Sequence, residues 1–536
     1  MVTAVSLRFA SSARRFCIVV IAVAAAACSG AGDVTSVDGQ QRGNDTTTPQ
    51  PSNAPNPPTT PNPTGAPDLT QPTTTALVPQ AAAGVIDWQA DSPGIETGTL
   101  QVPLDYSNPT GASIQLYLVR HLASDTGQRI GSLLVNPGGP GYGGSWLAEN
   151  ADGIYGADLL QRFDIVGWDP RGTGLSEPAI NCVDDYDPYF SLDSSPDDDA
   201  ERTALVDAAT RFADQCTQAN GKLMPFVDTV NSARDIDSIR RSLGEDTISY
   251  FGFSYGSELG ATWATLYPTT VRAAVIDGAV DPTVGYLQQN LQQAAGFEAT
   301  FSTFLKQCSS TVTCPFYNDG NAEEAFDALA IAIDSQPLVV DGRPPATQGV
   351  LFTAVTNAMY SEQSWSSLEA ALADAQVGDG AGIYSLYDEY YGMVDGAPTD
   401  DGYEAYFAIG CSDDPGSSSP ADLLSHEDEF AAAAPRLGRS WLAELTFCSV
   451  WPIKPGPPID ITGAGAGQIV VVGTTGDAAT PLESTRAMAR ALENGRLIVV
   501  TADQHTGYGV NDCVDSAVDS YLIDPVAVLP TELACP

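Results

Sequence analysis

A series of short apolar runs, each ending in glycine or a polar turn, most constrains what this chain can fold into. They are "GSLLVNPGG", "RFDIVGWDPRG", "TISYFGF", "VRAAVIDG", "QIVVVGTTGD" and "RLIVVTADQH". Each is apolar on both faces of an extended chain, and stretches with helical spacing separate most of them. In "NSARDIDSIRRSLG", Ile236, Ile239 and Leu243 share one helical face. Asn231 stands where it can cap that helix, and Gly244 where it can end it. Strands apolar on both faces and alternating with helices predict a mostly parallel sheet covered on both sides. In such sheets function collects at the carboxyl ends of the strands. Those ends carry Gly138 and Gly139, Asp169, Ser254, Asp277, Asp477 and His505.

One of these ends is unusual. In "YFGFSYGSELG", Tyr250 to Gly260, a serine stands between Gly252 and Gly256 where an apolar run stops. G-x-S-x-G between a strand and a helix is a nucleophile elbow: a strained turn pushes the serine hydroxyl out above the sheet, and the glycines leave room for strand and helix to approach. Leu259, Trp263 and Leu266 repeat at helical spacing and predict the buried face of the following helix.

Serine is a weak nucleophile and needs a base. The chain has three histidines. His121 ends an early strand, "IQLYLVRH", and reads as structural or exposed. His426 lies in acidic "LLSHEDEF" and reads as a solvated face. His505 follows the last apolar run. The order serine, acid, histidine favours Asp477 as the acid that holds the His505 tautomer. Asp277 is the rival and suits an anchoring role at a strand end. A tetrahedral oxyanion needs two fixed N–H donors. They are expected from Tyr255, directly after the nucleophile, and from Gly139 in "NPGGPGYGGS", the loop after the "SLLV" strand.

Composition narrows the partners. The chain of 536 residues carries 23 Lys+Arg against 67 Asp+Glu, a net charge of −44. Such a surface repels nucleic acid and anionic headgroups. The amino-terminus reads as an export signal: Arg8, Arg14 and Arg15 precede the apolar "FCIVVIAVAAAAC", which is too short to span a bilayer. Small residues before Cys28 resemble a lipoprotein cleavage site, with Ala25 where leucine is usual, so residues 1–28 are expected to be a leader and Cys28 the acylated terminus that holds the protein on the outer face of the cell membrane; an ordinary secretory signal cut nearby, giving a secreted protein, is the alternative. Residues 29–84, rich in Pro, Thr and Asn, are expected to form a disordered tether. Eight cysteines follow it. Their even number in an exported chain predicts disulfides, and short loops favour sequential pairing: Cys182–Cys216, Cys308–Cys314, Cys411–Cys448 and Cys513–Cys535. With no C-x-x-C and three histidines, no metal or other cofactor is expected.

The motifs "LLVNPGGPGYGGS", "FDIVGWDPRGTGLSEP", "DIDSIRRSLG", "YFGFSYGSELGATWATLYP", "VRAAVIDGAVDP" and "VVVGTTGDAATPLESTRAMARAL" occur in order. Together they resemble the tripeptidyl-aminopeptidase branch of the α/β-hydrolase serine peptidases, relatives of the prolyl aminopeptidases, over roughly residues 85 to 536. Pro137 stands where the prolyl enzymes have histidine, as in the tripeptidyl branch. The resemblance implies an α/β-hydrolase core over 85–283 and 456–536, with a mainly helical cap inserted at 284–455. It implies Ser254 as nucleophile, Asp477 as acid, His505 as base, and Gly139 with Tyr255 as oxyanion donors. Within the cap, Ala408 to Asp413 and Cys448 to Pro452 also match, and Asp413 is the expected acceptor of a substrate α-amine. The expectation is an exported serine exopeptidase releasing short peptides, tripeptides by resemblance, from free N-termini, and touching membrane only through its lipid. A carboxylesterase or lipase on the same scaffold, or a non-enzymatic envelope binding protein, are the alternatives.

Overall fold

A computed structural model describes residues 83–394, 396–414, 419–454 and 456–536. The leader, Cys28 and the tether up to residue 82 lie outside the described residues. No helix among the described residues is long and apolar enough to cross a membrane.

The ten strands of the main sheet are β1 (Gln89–Ser92), β2 (Ile95–Pro103), β3 (Ser113–His121), β4 (Gly131–Asn136), β5 (Phe163–Asp169), β6 (Ile248–Phe253), β7 (Val271–Asp277), β8 (Ile469–Thr474), β9 (Gly495–Val500) and β10 (Glu532–Cys535), in the spatial order β1-β2-β3-β5-β4-β6-β7-β8-β9-β10. The first three and the β3–β5 pair are antiparallel, and every pair from β5 onward is parallel. The runs read as doubly apolar are buried throughout in β4, β5 and β8. Alternate residues serve opposite faces: Leu134, Val166, Tyr250 and Ile276 pack on one core, and Leu133, Val135, Ile165, Phe251 and Val275 on the other.

The helix expected to be capped by Asn231 begins three residues earlier. It spans Thr229–Ser242 and is capped by the Asp228 carboxylate, which accepts from Asn231 N. Asp228 takes the cap because its carboxylate meets the orphan amide of Asn231, which itself lies in the first turn. Gly244 follows the helix at φ +75°, as a stop residue should.

Between β7 and β8 the chain forms helices, chiefly Tyr286–Ser310, Ala322–Ser335, Gln348–Met359, Trp365–Gln376, Ala381–Tyr390 and Gly402–Asp413, with one two-stranded hairpin. Their apolar faces join the core on one side of the sheet without a break. The four sequential disulfides form. Cys182–Cys216 holds the segment after β5 to the helix Asp199–Asn220. Cys513–Cys535 staples the last helix to β10, an edge strand that has no apolar run to announce it.

The "WDPRG" and "DIDSIRR" motifs meet in the interior. Arg171 and Asp235 are wholly buried; the guanidinium donates to both Asp235 oxygens at 2.7 and 2.8 Å and to the carbonyls of Pro103, Leu104 and Phe226. Removing one partner strands a buried charge. Asp235→Asn is therefore expected to cost about 3–5 kcal/mol, read as a fall of several degrees in melting temperature. An unchanged melting curve would show that the pair contributes nothing.

Candidate active site

The strand order brings the ends of β4 and β6 side by side, with Asn136 opposite Gly252 in register. The glycine loop after β4 therefore lies against the serine turn after β6. Ser254 joins β6 to the helix Tyr255–Leu266 at φ 54°, ψ −125°, a backbone that side-chain-bearing residues rarely adopt. The flanking glycines are required by space. A Cβ on Gly252 would lie 2.3 Å from the Gly256 carbonyl oxygen, and one on Gly256 would meet Asn136 at 2.9 Å. Ser254 N donates to the Asp277 carbonyl at 2.8 Å, which fixes the turn to the end of β7.

His505 sits in the loop after β9. Its Nδ1 is 2.9 Å from Asp477 Oδ1, and its Nε2 is buried with no partner among the described residues. Gly278, next to the residue that holds Ser254 N, approaches the same imidazole: a Cβ there would lie 3.2 Å from His505 Cε1. Burial alone would lower the His505 pKa. The charge and hydrogen bond of Asp477, with Asp277 behind, outweigh it and raise the pKa above the ordinary value. Asp477 is held in turn by Ala479 N, Thr480 N and Thr480 Oγ1, at 2.9, 2.8 and 2.8 Å. Thr480 Oγ1 also comes within 3.4 Å of His505 Nδ1.

The rival acid has a different task. Asp277 accepts from Gly507 N and Tyr508 N at 2.8–3.1 Å, so it anchors the chain just beyond His505 rather than the ring. Burial pushes its carboxyl up to about 6. The other two histidines lie elsewhere: His121 is 3.4 Å from Asp152, and His426 faces Glu429 on the surface.

Of the oxyanion candidates, Tyr255 N begins a helix and has no intrahelical acceptor. Gly138 presses against it, since a Cβ on Gly138 would lie 2.9 Å from Tyr255 N. Gly138 N is occupied by Asn136 Oδ1 at 3.0 Å. Gly139, at φ +111°, is the next donor along the loop and has no acceptor among the described residues.

The helical insertion touches this centre on two sides. His505 N donates to the Tyr360 carbonyl at 3.1 Å, and the two rings are 5.6 Å apart. On the other side, Gly141 abuts Gly402 and Tyr406 of the helix Gly402–Asp413. Asp413, at that helix's end, accepts from Thr229 N and from Thr229 Oγ1 at 2.7 Å, and the same hydroxyl bonds Tyr255 Oη. Two further carboxylates stand close by. Glu258, one helical turn after Ser254, neighbours Asp413, and Glu444 accepts from Tyr403 Oη at 3.1 Å. Burial pushes Glu258 and Glu444 up to about 7, and burial with the neighbouring charges of Glu258 and Asp228 holds Asp413 well above the carboxylate range. No Lys or Arg among the described residues pairs with any of the three.

Sequence reading missed Thr480, Tyr360, Glu258 and Glu444 as parts of this site. Signals existed for the two glutamates: Glu258 falls one helical turn after Ser254 as the only charge on its helix, and Glu444 interrupts the run "WLAELTF". Thr480 and Tyr360 join through tertiary contact alone.

Comparison with known proteins agrees with this geometry. Residues 131–512 match the family model described as alpha/beta hydrolase fold. The chain is 32% identical over 446 residues to "Serine protease Hip1" of Mycobacterium tuberculosis, covering 80% of this chain and 85% of that one. It is 31% identical over 462 residues to "Tripeptidyl aminopeptidase" of Streptomyces lividans, covering 82% and 83%, and 34% identical over 465 residues to "Carboxylesterase B" of Mycobacterium tuberculosis, covering 83% and 88%. The serine turn, the buried histidine–aspartate pair and these matches lead to one conclusion: the chain belongs to the α/β-hydrolase family and is a serine hydrolase of its tripeptidyl-aminopeptidase branch.

Proposed function

We propose that this protein is an exported serine exopeptidase that releases short peptides, tripeptides by its kinship, from free N-termini. The observation that supports the reading is the His505–Asp477 pair, its Nε2 buried without a partner, together with three buried carboxylates, Asp413, Glu258 and Glu444, that have no cationic partner among the described residues. Ser254 Oγ attacks the scissile carbonyl as His505 Nε2 takes its proton, and Asp477 stabilises the imidazolium. The N–H groups of Gly139 and Tyr255 hold the oxyanion. His505 then returns the proton to the leaving amine, and water repeats the sequence on the acyl-enzyme. The ammonium of the substrate is drawn to Asp413, Glu258 and Glu444, where a charge-assisted hydrogen bond in a partly dry site exceeds an exposed pair. Four disulfides suit an oxidising compartment, and anchoring through Cys28 would leave catalysis to the body: Cys28→Ser should release active enzyme to the medium.

The test is kcat/KM on one tripeptide amide with its amine free or acetylated. The free form is expected to lead by ten- to a hundredfold. Equal values would sink the exopeptidase reading. The ratio is also expected to climb with pH. Glu258 and Glu444, their carboxyls pushed up to about 7, are neutral below that pH and charged above it, while an α-amine stays protonated to near 8. His505 ionisation affects both substrates alike and cancels in the ratio. A ratio flat from pH 6 to 8 would remove the carboxylates from amine recognition. The name of the esterase relative supports a second reading, ester hydrolysis in the same cleft; acyl esters turned over with no peptide turnover would favour it.

A further inference from the structure

We propose that Tyr360, the residue that closes the helix Gln348–Met359 of the insertion, is a positioning residue for the general base: its ring, held against the imidazole, fixes the plane in which His505 presents Nε2. The inference rests on His505 acting as the base and is independent of how a substrate amine is recognised.

A histidine that takes a proton from serine must present Nε2 along one direction. Asp477 holds only the opposite corner of the ring, Nδ1, at 2.9 Å. One hydrogen bond fixes that corner and leaves the ring free to swing about it. A displacement of about 1 Å at a reacting atom can cost about 10²-fold in rate. Something else must therefore hold the plane.

The loop itself offers little support. β9 stops at Val500, and His505 stands in the chain beyond it. Asp277 secures that chain after the ring, at Gly507 and Tyr508. Before the ring, the Thr474 hydroxyl donates to the Gln504 carbonyl, and the remaining support comes from the insertion. Ser361 and Gln504 form an isolated antiparallel bridge, and His505 N donates to the Tyr360 carbonyl at 3.1 Å.

Tyr360 then meets the ring. The two ring planes stand at 73° with centroids 5.6 Å apart, an edge contact of the kind aromatic pairs prefer. Gly278 closes on Cε1, where a Cβ would come within 3.2 Å. Asp477 thus fixes a corner, Gly278 limits one side, and Tyr360 sets the plane. The phenol ring is braced in turn. It lies 5.3 Å from Phe297 of the helix Tyr286–Ser310, and Phe297 stacks on Trp441 at 4.8 Å. Among the described residues, Tyr360 alone hydrogen-bonds the His505 backbone N–H and also packs on its ring.

The test uses the full chain, a small acyl ester and a fluorophosphonate probe, neither of which carries an amine. Tyr360→Met, which keeps side-chain volume and removes the ring, is expected to lower kcat and the labelling rate together, ten- to a hundredfold, with KM held within about twofold. Tyr360→Phe, which keeps the ring, is expected to recover most of that loss. Rates are scaled to the folded fraction read from melting curves. Should Tyr360→Met not fold, Phe297→Leu withdraws the brace with Tyr360 in place, and the same loss in kcat is expected. Labelling at the wild-type rate without the ring or its brace, a loss confined to KM, or a phenylalanine variant as slow as the methionine one would overturn the inference. A wild type that takes no label, or a His505→Ala variant that labels as fast as wild type, would overturn the catalytic assignment itself, and the inference with it.

Discussion

Ser254→Ala is expected to lower peptide turnover by at least about 10⁴-fold and to abolish covalent labelling by a fluorophosphonate, with the melting temperature held. The hydroxyl makes no hydrogen bond among the described residues, so nothing structural depends on it. Ser254→Gly carries the argument further. The native backbone, at φ 54° and ψ −125°, is strained for serine and open to glycine. Relief of that strain, on the order of 1–3 kcal/mol, should make the inactive glycine variant at least as stable as wild type. A variant both active and labelled would remove Ser254 from the chemistry.

Asp477→Asn is the second large effect, a loss of about 10⁴-fold in kcat by analogy with other triads. An amide in that place offers an N–H where the histidine Nδ1–H needs an acceptor, and turns the ring to the wrong tautomer. Asp277→Asn separates ring from loop. Its carboxylate binds backbone N–H groups at Gly507 and Tyr508, so the variant should lose stability and a smaller share of kcat. Stopped assays with melting curves on the two variants check this. Near-normal kcat in Asp477→Asn beside an inactive, well-folded Asp277→Asn would reverse the two roles.

Much of this was legible in the sequence because it is local. A run apolar on both faces forces a buried parallel strand, and a serine between two glycines at its end forces the turn. Sequential cysteines close short loops, and all four pairs form as expected. What escaped reading is set by pairing across distance. β10 is too short and mixed to announce itself, and it exists because β9 and Cys513 hold it. Asp277 ends β7 and Asp477 follows β8 by three residues; only the folded loop after β9 decides that Asp477 meets the imidazole and Asp277 the amides two and three residues on. Asp413 stood out as an acid matching a family motif, yet its nearest partner is Thr229 of the core, a contact between residues far apart in sequence. Glu444 interrupts an apolar run in the sequence, but only the fold brings the Tyr403 hydroxyl to it.

The most direct measurement is a digest of long peptides of known sequence, each supplied with a free and with an acetylated N-terminus, with product masses read over time. The account predicts stepwise loss of three-residue fragments from the free end, no internal cuts, and little or no product from the acetylated partner. Internal cleavage, or equal cleavage of free and acetylated peptides, would contradict it.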